Sequence, residues 1–174
     1  FISSITYQTQ IEHKYKASSL VVFRNIQQTC KAVMALAGMP VSAVELMDGR
    51  ALESVSGMTG HSETLNFESK DNAALLIETR AANPELLSRQ IDSLHKQIDK
   101  FDLVSRVHFD PSESQTHKLW DIRKGLFPAV GAVRNTGTTV IIEDVAFPIE
   151  HLAHGVADLQ NLFQKYDYDE AIIF

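Results

Sequence analysis

The stretch Ala73–Ile98, AALLIETRAANPELLSRQIDSLHKQI, contains the clearest passage from strand to helix in the sequence. Its apolar start, residues 73–79, predicts a buried strand. Asn83 is a suitable N-cap, and Pro84 fits the first position of a helix. The apolar residues that follow recur at spacings of four, three and four: Leu87, Ile91, Leu94 and Ile98. The stretch therefore predicts a strand followed by an amphipathic helix.

Similar signals on either side of this stretch complete a β-α-β-β-α-β order. Further strands are predicted at short apolar runs: residues 19–23, 42–47 and 103–109. Asn25 caps a helix after the first of these strands, and Gly38 followed by Pro40 ends it. Over residues 18–110 this order is the ferredoxin-like pattern, an antiparallel sheet with two helices on one face.

The remaining residues, 111–174, predict an α-β-α-β extension of the same layered architecture. Its predicted elements are a helix over 112–127, a strand over 138–145, a helix from Pro148 and a strand over 169–174. We therefore expect an α+β fold in which residues 1–174 form a single domain. Because Phe1 is not a start methionine and the last predicted strand runs to the end, we interpret the chain as a fragment.

The composition argues against several classes of partner. A net charge of -6 is unfavourable for a nucleic-acid surface, because phosphate binding needs clustered Lys and Arg. For the same reason, an anionic ligand would have to be attracted by local arginines. No apolar run approaches the ~20 residues of a membrane span. The single cysteine, Cys30, fits a reducing cytoplasm.

Basic and hydroxyl residues in the second half of the chain could bind a small carboxylate. An arginine such as Arg123 offers a carboxylate two parallel hydrogen bonds, which a lysine cannot reproduce. The alternative is that Arg123 and Lys124 only complement the negative end of their helix. Arg134 opens a turn whose Thr138 and Thr139 either reach a ligand or form a plain helix-to-strand connection.

Two further pairs of residues are ambiguous. Glu143 and Asp144 either orient the arginines or form a solvated strand end. His151 and His154 are three residues apart, which is compatible with a metal site on one helix face. Because no third ligand is close to them in sequence, we predict no metal site in this chain.

Several longer stretches resemble one protein family across nearly the whole chain. They are Lys16–Phe23, Met39–Arg50, Arg123–Phe127, the block 123–148, and Tyr168–Phe174. These stretches resemble the C-terminal substrate domain, or cap domain, of FAD-linked oxidases of the D-lactate and D-2-hydroxyacid dehydrogenase type. That type belongs to the vanillyl-alcohol-oxidase-like superfamily. The block 123–148 is most similar to large bacterial members that carry an appended iron–sulfur domain.

The resemblance implies a role for each candidate residue. In this family, the arginine after a Leu-Trp-x-x stretch binds the substrate carboxylate, and that position is Arg123 here. Some relatives carry a lysine where this sequence has Ile142, so Arg134 or Lys124 would take its place. The residues expected near the flavin are Thr138, Thr139, Glu143 and Asp144.

The resemblance also implies the activity of the intact protein. It would be an FAD-dependent dehydrogenase of D-lactate or D-2-hydroxyglutarate that transfers hydride to the flavin. An upstream domain of the same chain would hold most of the FAD, and active-site histidines would follow Phe174. An iron–sulfur cluster or a divalent metal would lie further downstream, and electrons would pass to a quinone, a cytochrome or an iron–sulfur centre. The fragment alone would be inactive, and the protein would be cytoplasmic or peripheral at the inner face of the membrane.

The alternative comes from a different functional class. The chain could be a stand-alone ferredoxin-like module that binds a ligand or partner without catalysis, because this architecture supports many functions. A flavin domain before Phe1 and a Gly-His motif after Phe174 would favour the oxidase. Within the oxidase hypothesis, a second arginine such as Arg134 would favour a dicarboxylate such as 2-hydroxyglutarate over lactate.

Overall fold

Three antiparallel strands form the sheet at the centre of the described chain. The structure is a computed structural model that describes residues 2–56, 67–133, 136–141, 144–168 and 171–174. The strands are β1 (Tyr15–Phe23), β2 (Ala43–Met47) and β3 (Ala73–Ala81). β3 lies between the other two; it pairs with β1 along its whole length and with β2 over residues 74–78. Nearly all of its residues are buried, which agrees with the continuous apolar run of residues 73–77 at its start.

A fourth segment, 103–110, runs antiparallel along the outer edge of β1 without forming a regular strand. Leu103 bridges Phe23, and Asp110 exchanges two backbone hydrogen bonds of 3.1 and 3.0 Å with Ser18. The segment takes seven residue steps between these bridges whereas β1 takes five, so a continuous ladder cannot form. The prediction of a continuous strand here is wrong. Its position beside β1 is nevertheless that of the fourth strand in a ferredoxin-like sheet.

Two helices, α1 (Ile26–Leu36) and α3 (Pro84–Ile98), cover one face of the sheet. Both begin as predicted, because the side chains of Asn25 and Asn83 accept hydrogen bonds of 2.9 and 2.8 Å from backbone N–H groups three residues further on. The buried side chains of this layer include Val21, Phe23, Leu36, Leu75, Ile77, Leu94 and Ile98. The predicted placement of two helices on one face is confirmed for this pair.

The opposite face of the sheet is covered by α2 (Gly49–Ser56) and α4 (Glu113–Val133). The buried side chains of this second layer include Val22, Met47, Leu52, Leu76, Leu119, Ile122 and Leu126. Fully burying one such side chain contributes on the order of 2 kcal/mol relative to leaving it exposed. The extension therefore begins by covering the second face of the sheet. Among the described residues, no helix is both long and apolar enough to span a membrane.

The rest of the extension is a helix and irregular chain. A single 3₁₀ turn, Ile149–His151, leads into α5 (Leu152–Lys165), which packs against α1 through Ala153 and Val156. A methyl group at Gly155 would lie 2.7 Å from ring atoms of Phe147, so the glycine allows this ring to pack against α5. Both predicted helices of the extension are confirmed.

The two predicted strands of the extension do not form where the structure describes them. Residues 138–141, 144–145 and 171–174 belong to no strand. The side chains of Ile141 and Val145 are exposed, so these residues are not sandwiched within a sheet. The α+β class is confirmed, and its extension is helical in the described residues.

Candidate functional site

Arg123 lies on the side of α4 that faces the sheet. The core-facing residues around it are buried: Leu119, Ile122 and Leu126. The Arg123 side chain is 26% exposed and its Nε donates a 2.9 Å hydrogen bond to Oε2 of Glu45 on β2. This hydrogen bond uses one of the five N–H donors of a guanidinium. The structure thus holds the guanidinium at the border between the core and solvent.

The helix-end alternative for Arg123 and Lys124 is wrong in this structure. We predicted an end at residue 127, but α4 continues through Pro128 to Val133. A helix dipole acts mainly within the first and last turns, and both basic residues lie well before the last turn. Lys124 is exposed on another side of the helix, because adjacent residues of a helix point about 100° apart.

A phenylalanine ring lies against the same guanidinium. The centroid of the Phe174 ring is 5.0 Å from Cζ of Arg123, which is within the range of a cation–π contact. The preceding residue, Ile173, accepts a 3.0 Å hydrogen bond from the Asp48 backbone and donates one of 2.8 Å to Oδ2 of Asp48. Burial raises the pKa of Asp48, although hydrogen bonds from Ala51 and Ile173 act in the opposite direction.

A buried carboxylate lies beside this site on the same face of the sheet. Glu78 of β3 is 3% exposed, and its Oε2 accepts hydrogen bonds from Trp120 Nε1 at 2.9 Å and Ser18 Oγ at 3.3 Å. Its Oε1 accepts a 2.7 Å hydrogen bond from Arg80 Nε. The hydrogen bonds that Arg80 donates to Glu78 and Glu12 raise the pKa of its guanidinium. Three donors thus compensate the burial of this charge.

The two threonines that we expect near the flavin line a small cavity at the C-terminal end of α4. Thr138 and Thr139 are exposed and line a cavity of about 320 Å³. The other residues around it are Phe127, Pro128, Gly131 and Val140. Hydroxyl groups therefore lie next to apolar side chains around this cavity.

The remaining predicted residues are not brought to this site by the described structure. Asp144 is exposed, whereas Arg134 and Glu143 lie outside the described residues. His151 and His154 are both exposed. Within the described ranges, no group of three or more His, Cys, Asp or Glu side chains could hold a metal ion.

Sequence reasoning missed the residues that surround Arg123. Glu45 lies in β2 on the same side as the buried Met47, since side chains alternate along a strand. An acidic residue at a position of this kind signals a cationic partner on the covering layer. Phe174 carries no comparable signal, because its contact with Arg123 depends on how an irregular segment meets Asp48.

Comparison with protein-family models identifies a family for this chain. The family model for the C-terminal domain of FAD-linked oxidases matches residues 12–174 of this chain. A search of curated proteins finds no match. The matched region includes α4, the site around Arg123 and all three strands of the sheet.

Proposed function

The chain belongs to the family of C-terminal domains of FAD-linked oxidases, and we propose that it is the substrate-binding domain of an FAD-dependent D-2-hydroxyacid dehydrogenase. D-lactate and D-2-hydroxyglutarate are the candidate substrates. In this proposal Arg123 binds the substrate carboxylate. The observation that carries the proposal is a half-buried guanidinium held at the border of the core, within a domain of a flavin-dependent oxidase family.

The surroundings of Arg123 suit the binding of a carboxylate. Glu45 engages Nε, and the edge formed by the two Nη groups is the one that a carboxylate can approach end-on with two parallel hydrogen bonds. The Phe174 ring lies against the same guanidinium and contributes apolar surface next to the charge. Such a site restricts both the position and the orientation of a small acid.

Bound FAD would supply the acceptor for a hydride from the substrate carbon. The residues of this chain that suit contact with its ring system are Thr138 and Thr139, whose hydroxyls lie beside the apolar side chains of Phe127 and Val140. The sequence contains no glycine-rich phosphate-binding loop, so we assign the FAD pyrophosphate to another part of the protein. We retain Arg134, Lys124, Glu143 and Asp144 as proposed contributors.

The test uses the flavoprotein that contains this domain, purified without oxygen. Bleaching of the flavin absorbance would be followed with D-lactate, D-2-hydroxyglutarate, glycolate and the L-isomers. Arg123→Lys keeps the charge but removes the planar guanidinium, which can donate two parallel hydrogen bonds, so kcat/KM should fall by about tenfold to 100-fold. Arg24→Lys is the matched control, because Arg24 forms exposed ion pairs with Glu68 and Asp102 away from this site.

Bleaching by one D-acid that is weakened in Arg123→Lys and retained in Arg24→Lys would support the dehydrogenase and its carboxylate anchor. If no flavin co-purifies, the stand-alone binding module replaces the dehydrogenase as the better proposal. Flavin bleaching that is unchanged in Arg123→Lys would refute the assignment of Arg123 as the carboxylate-binding residue. A preference for D-2-hydroxyglutarate over D-lactate would favour a second cationic contact, for which Arg134 and Lys124 are the candidates.

A further inference from the structure

Two polar contacts join α4 to the second face of the sheet at matching spacings. Trp120 and Arg123 are three residues apart on α4, where side chains at this spacing are neighbours on one helix face. Their partners, Glu78 on β3 and Glu45 on β2, are diagonal neighbours, because Ala43 is the residue directly opposite Glu78. The two hydrogen bonds can therefore form together only in one rotation and one axial position of α4.

The contact with Glu45 also restricts the guanidinium itself. A hydrogen bond through Nε, at 2.9 Å, restricts the directions in which the Nη edge can point, since the group is planar. The Phe174 ring, 5.0 Å from Cζ, restricts the group from a second direction. This ring is carried by a segment that two hydrogen bonds attach to Asp48.

We propose that Glu45 is a positioning residue that orients the Arg123 guanidinium for a substrate carboxylate, and that the Phe174 ring assists it. The inference rests on the proposed function, in which Arg123 is the carboxylate anchor. Neither Glu45 nor Phe174 need touch the substrate. Their contribution is to restrict the conformations of the Arg123 side chain before the substrate binds. Less conformational entropy of this side chain is then lost on binding.

Glu45 could instead weaken substrate binding, so the direction in which its removal changes the Kd decides between the two roles. A carboxylate paired with Arg123 could compete with the substrate for the same cation. In that case removal of the Glu45 charge would tighten binding. If Glu45 positions the arginine, its removal weakens binding, because the guanidinium gains freedom that the substrate must then restrict.

The experiment measures binding of oxalate, a small dicarboxylate probe, to the flavoprotein by perturbation of the flavin spectrum. KM and kcat for the best D-2-hydroxyacid are measured alongside. Glu45→Ala should raise the Kd of oxalate and the KM of the substrate by about tenfold, with a smaller change in kcat. Glu45→Gln retains an acceptor for Nε and should recover most of this loss.

Two further variants complete the design. Phe174→Leu retains apolar bulk but removes the aromatic face, so it should raise Kd by about threefold. Glu53→Ala removes an acidic residue whose partner is the exposed Lys70, and it should leave Kd unchanged. Flavin content and Tm are measured for every variant, so that a loss of binding can be separated from a loss of folding.

The outcomes separate this inference from the function on which it rests. If Arg123→Lys weakens oxalate binding but Glu45→Ala leaves it unchanged or tightens it, the positioning role is refuted and the proposed function stands. Equal effects of Glu45→Ala and Glu53→Ala would likewise refute it, because they would reflect only the change in net charge. If Arg123→Lys has no effect on oxalate or substrate, the assignment of Arg123 as the carboxylate anchor fails, and the positioning role fails with it.

Discussion

Replacing the buried carboxylate of Glu78 with an amide should destabilise the domain through a single identifiable conflict. In Glu78→Gln, the amide oxygen can occupy the position of Oε2 and accept from Trp120 and Ser18, which lie at 2.9 and 3.3 Å. The amide NH₂ then faces the Nε–H of Arg80, which lies 2.7 Å from Oε1. The reverse orientation places two donors against each other at Trp120. Neither orientation of the glutamine satisfies all three donors.

The size of the effect follows from the contacts that are lost. A hydrogen bond to a charged group contributes about 1.5–3 kcal/mol, and removing one partner of a buried ion pair costs more. Arg80 is 29% exposed on its side chain and retains Glu12 as a partner, which moderates the loss. We therefore expect the free energy of unfolding to fall by about 2–3 kcal/mol. For a chain of this size, that corresponds to a decrease in Tm of about 5–10 °C.

Thermal unfolding of the 174-residue chain, followed by circular dichroism, would measure this change. Trp120→Phe keeps most of the ring but removes one donor, so it should lower the free energy of unfolding by about 1–2 kcal/mol. Glu53→Gln, at an exposed ion pair with Lys70, should change it by less than about 0.5 kcal/mol. If Glu78→Gln unfolds with the same Tm as the wild type, or no lower than Glu53→Gln, the buried network does not stabilise the domain as argued.

Three further predictions concern packing, titration and the accessibility of a thiol. Gly49→Ala should lower the free energy of unfolding by about 2–3 kcal/mol, because its methyl group would clash with the Lys70 carbonyl oxygen and lie 2.7 Å from the Asn72 carbonyl oxygen. In Gly38→Ala the methyl group would meet no atom, but the residue has a φ of 79°, so this variant should lose only about 1 kcal/mol. Equal denaturant midpoints for the two variants would contradict the steric argument. Burial raises the pKa of the Cys30 thiol from its ordinary 9.0 to about 11, so the stabilisation present below pH 9 should decline as the pH rises from about 9 to about 11, and Cys30→Ala should remove that part of the pH dependence. Mass spectrometry should also find Cys30 unmodified by iodoacetamide until a denaturant is added, and modification of the native chain would show that the thiol is accessible.

Much of the fold could be predicted from the sequence because local signals and burial agree there. The continuous apolar run of β3 and the spacing of Leu87 and Leu94 each indicate one element, and the caps at Asn25 and Asn83 set where the helices begin. The segment 103–110 has the composition of a strand, yet its two extra residues relative to β1 prevent a ladder. Register of this kind depends on pairing between distant segments, which a single sequence does not reveal.

The strands predicted for the extension did not form in the described residues for a related reason. Residues 138–141 have β-branched composition, but Ile141 is exposed. A strand forms only where another strand accepts its hydrogen bonds, so composition favours a strand without providing a partner. The predicted end of α4 at residue 127 is too early, because the helix continues through Pro128 to Val133.

The sequence alone proposes Arg123 as the central residue of the candidate site, and its role stays a prediction, whereas its surroundings could not be predicted. Arg123 was selected from its chemistry and from a family resemblance, and the structure adds Glu45 and Phe174 around it. These partners lie 78 residues before Arg123 and 51 residues after it, and no local pattern connects such distant positions. Arg134 and Glu143 stay predictions of the resemblance.

In the proposed function, the arrangement on the second face of the sheet would orient a substrate more than it would attract one electrostatically. The chain carries a net charge of -6, and two arginines at this face, Arg80 and Arg123, are each paired with a carboxylate. A strong positive field that would concentrate anions is therefore absent around these paired groups. In the proposed role, Arg123 would offer a planar guanidinium, which Glu45 and Phe174 contact. Discrimination at such a site comes from geometry, which is why a lysine of equal charge at position 123 should fail where an arginine succeeds.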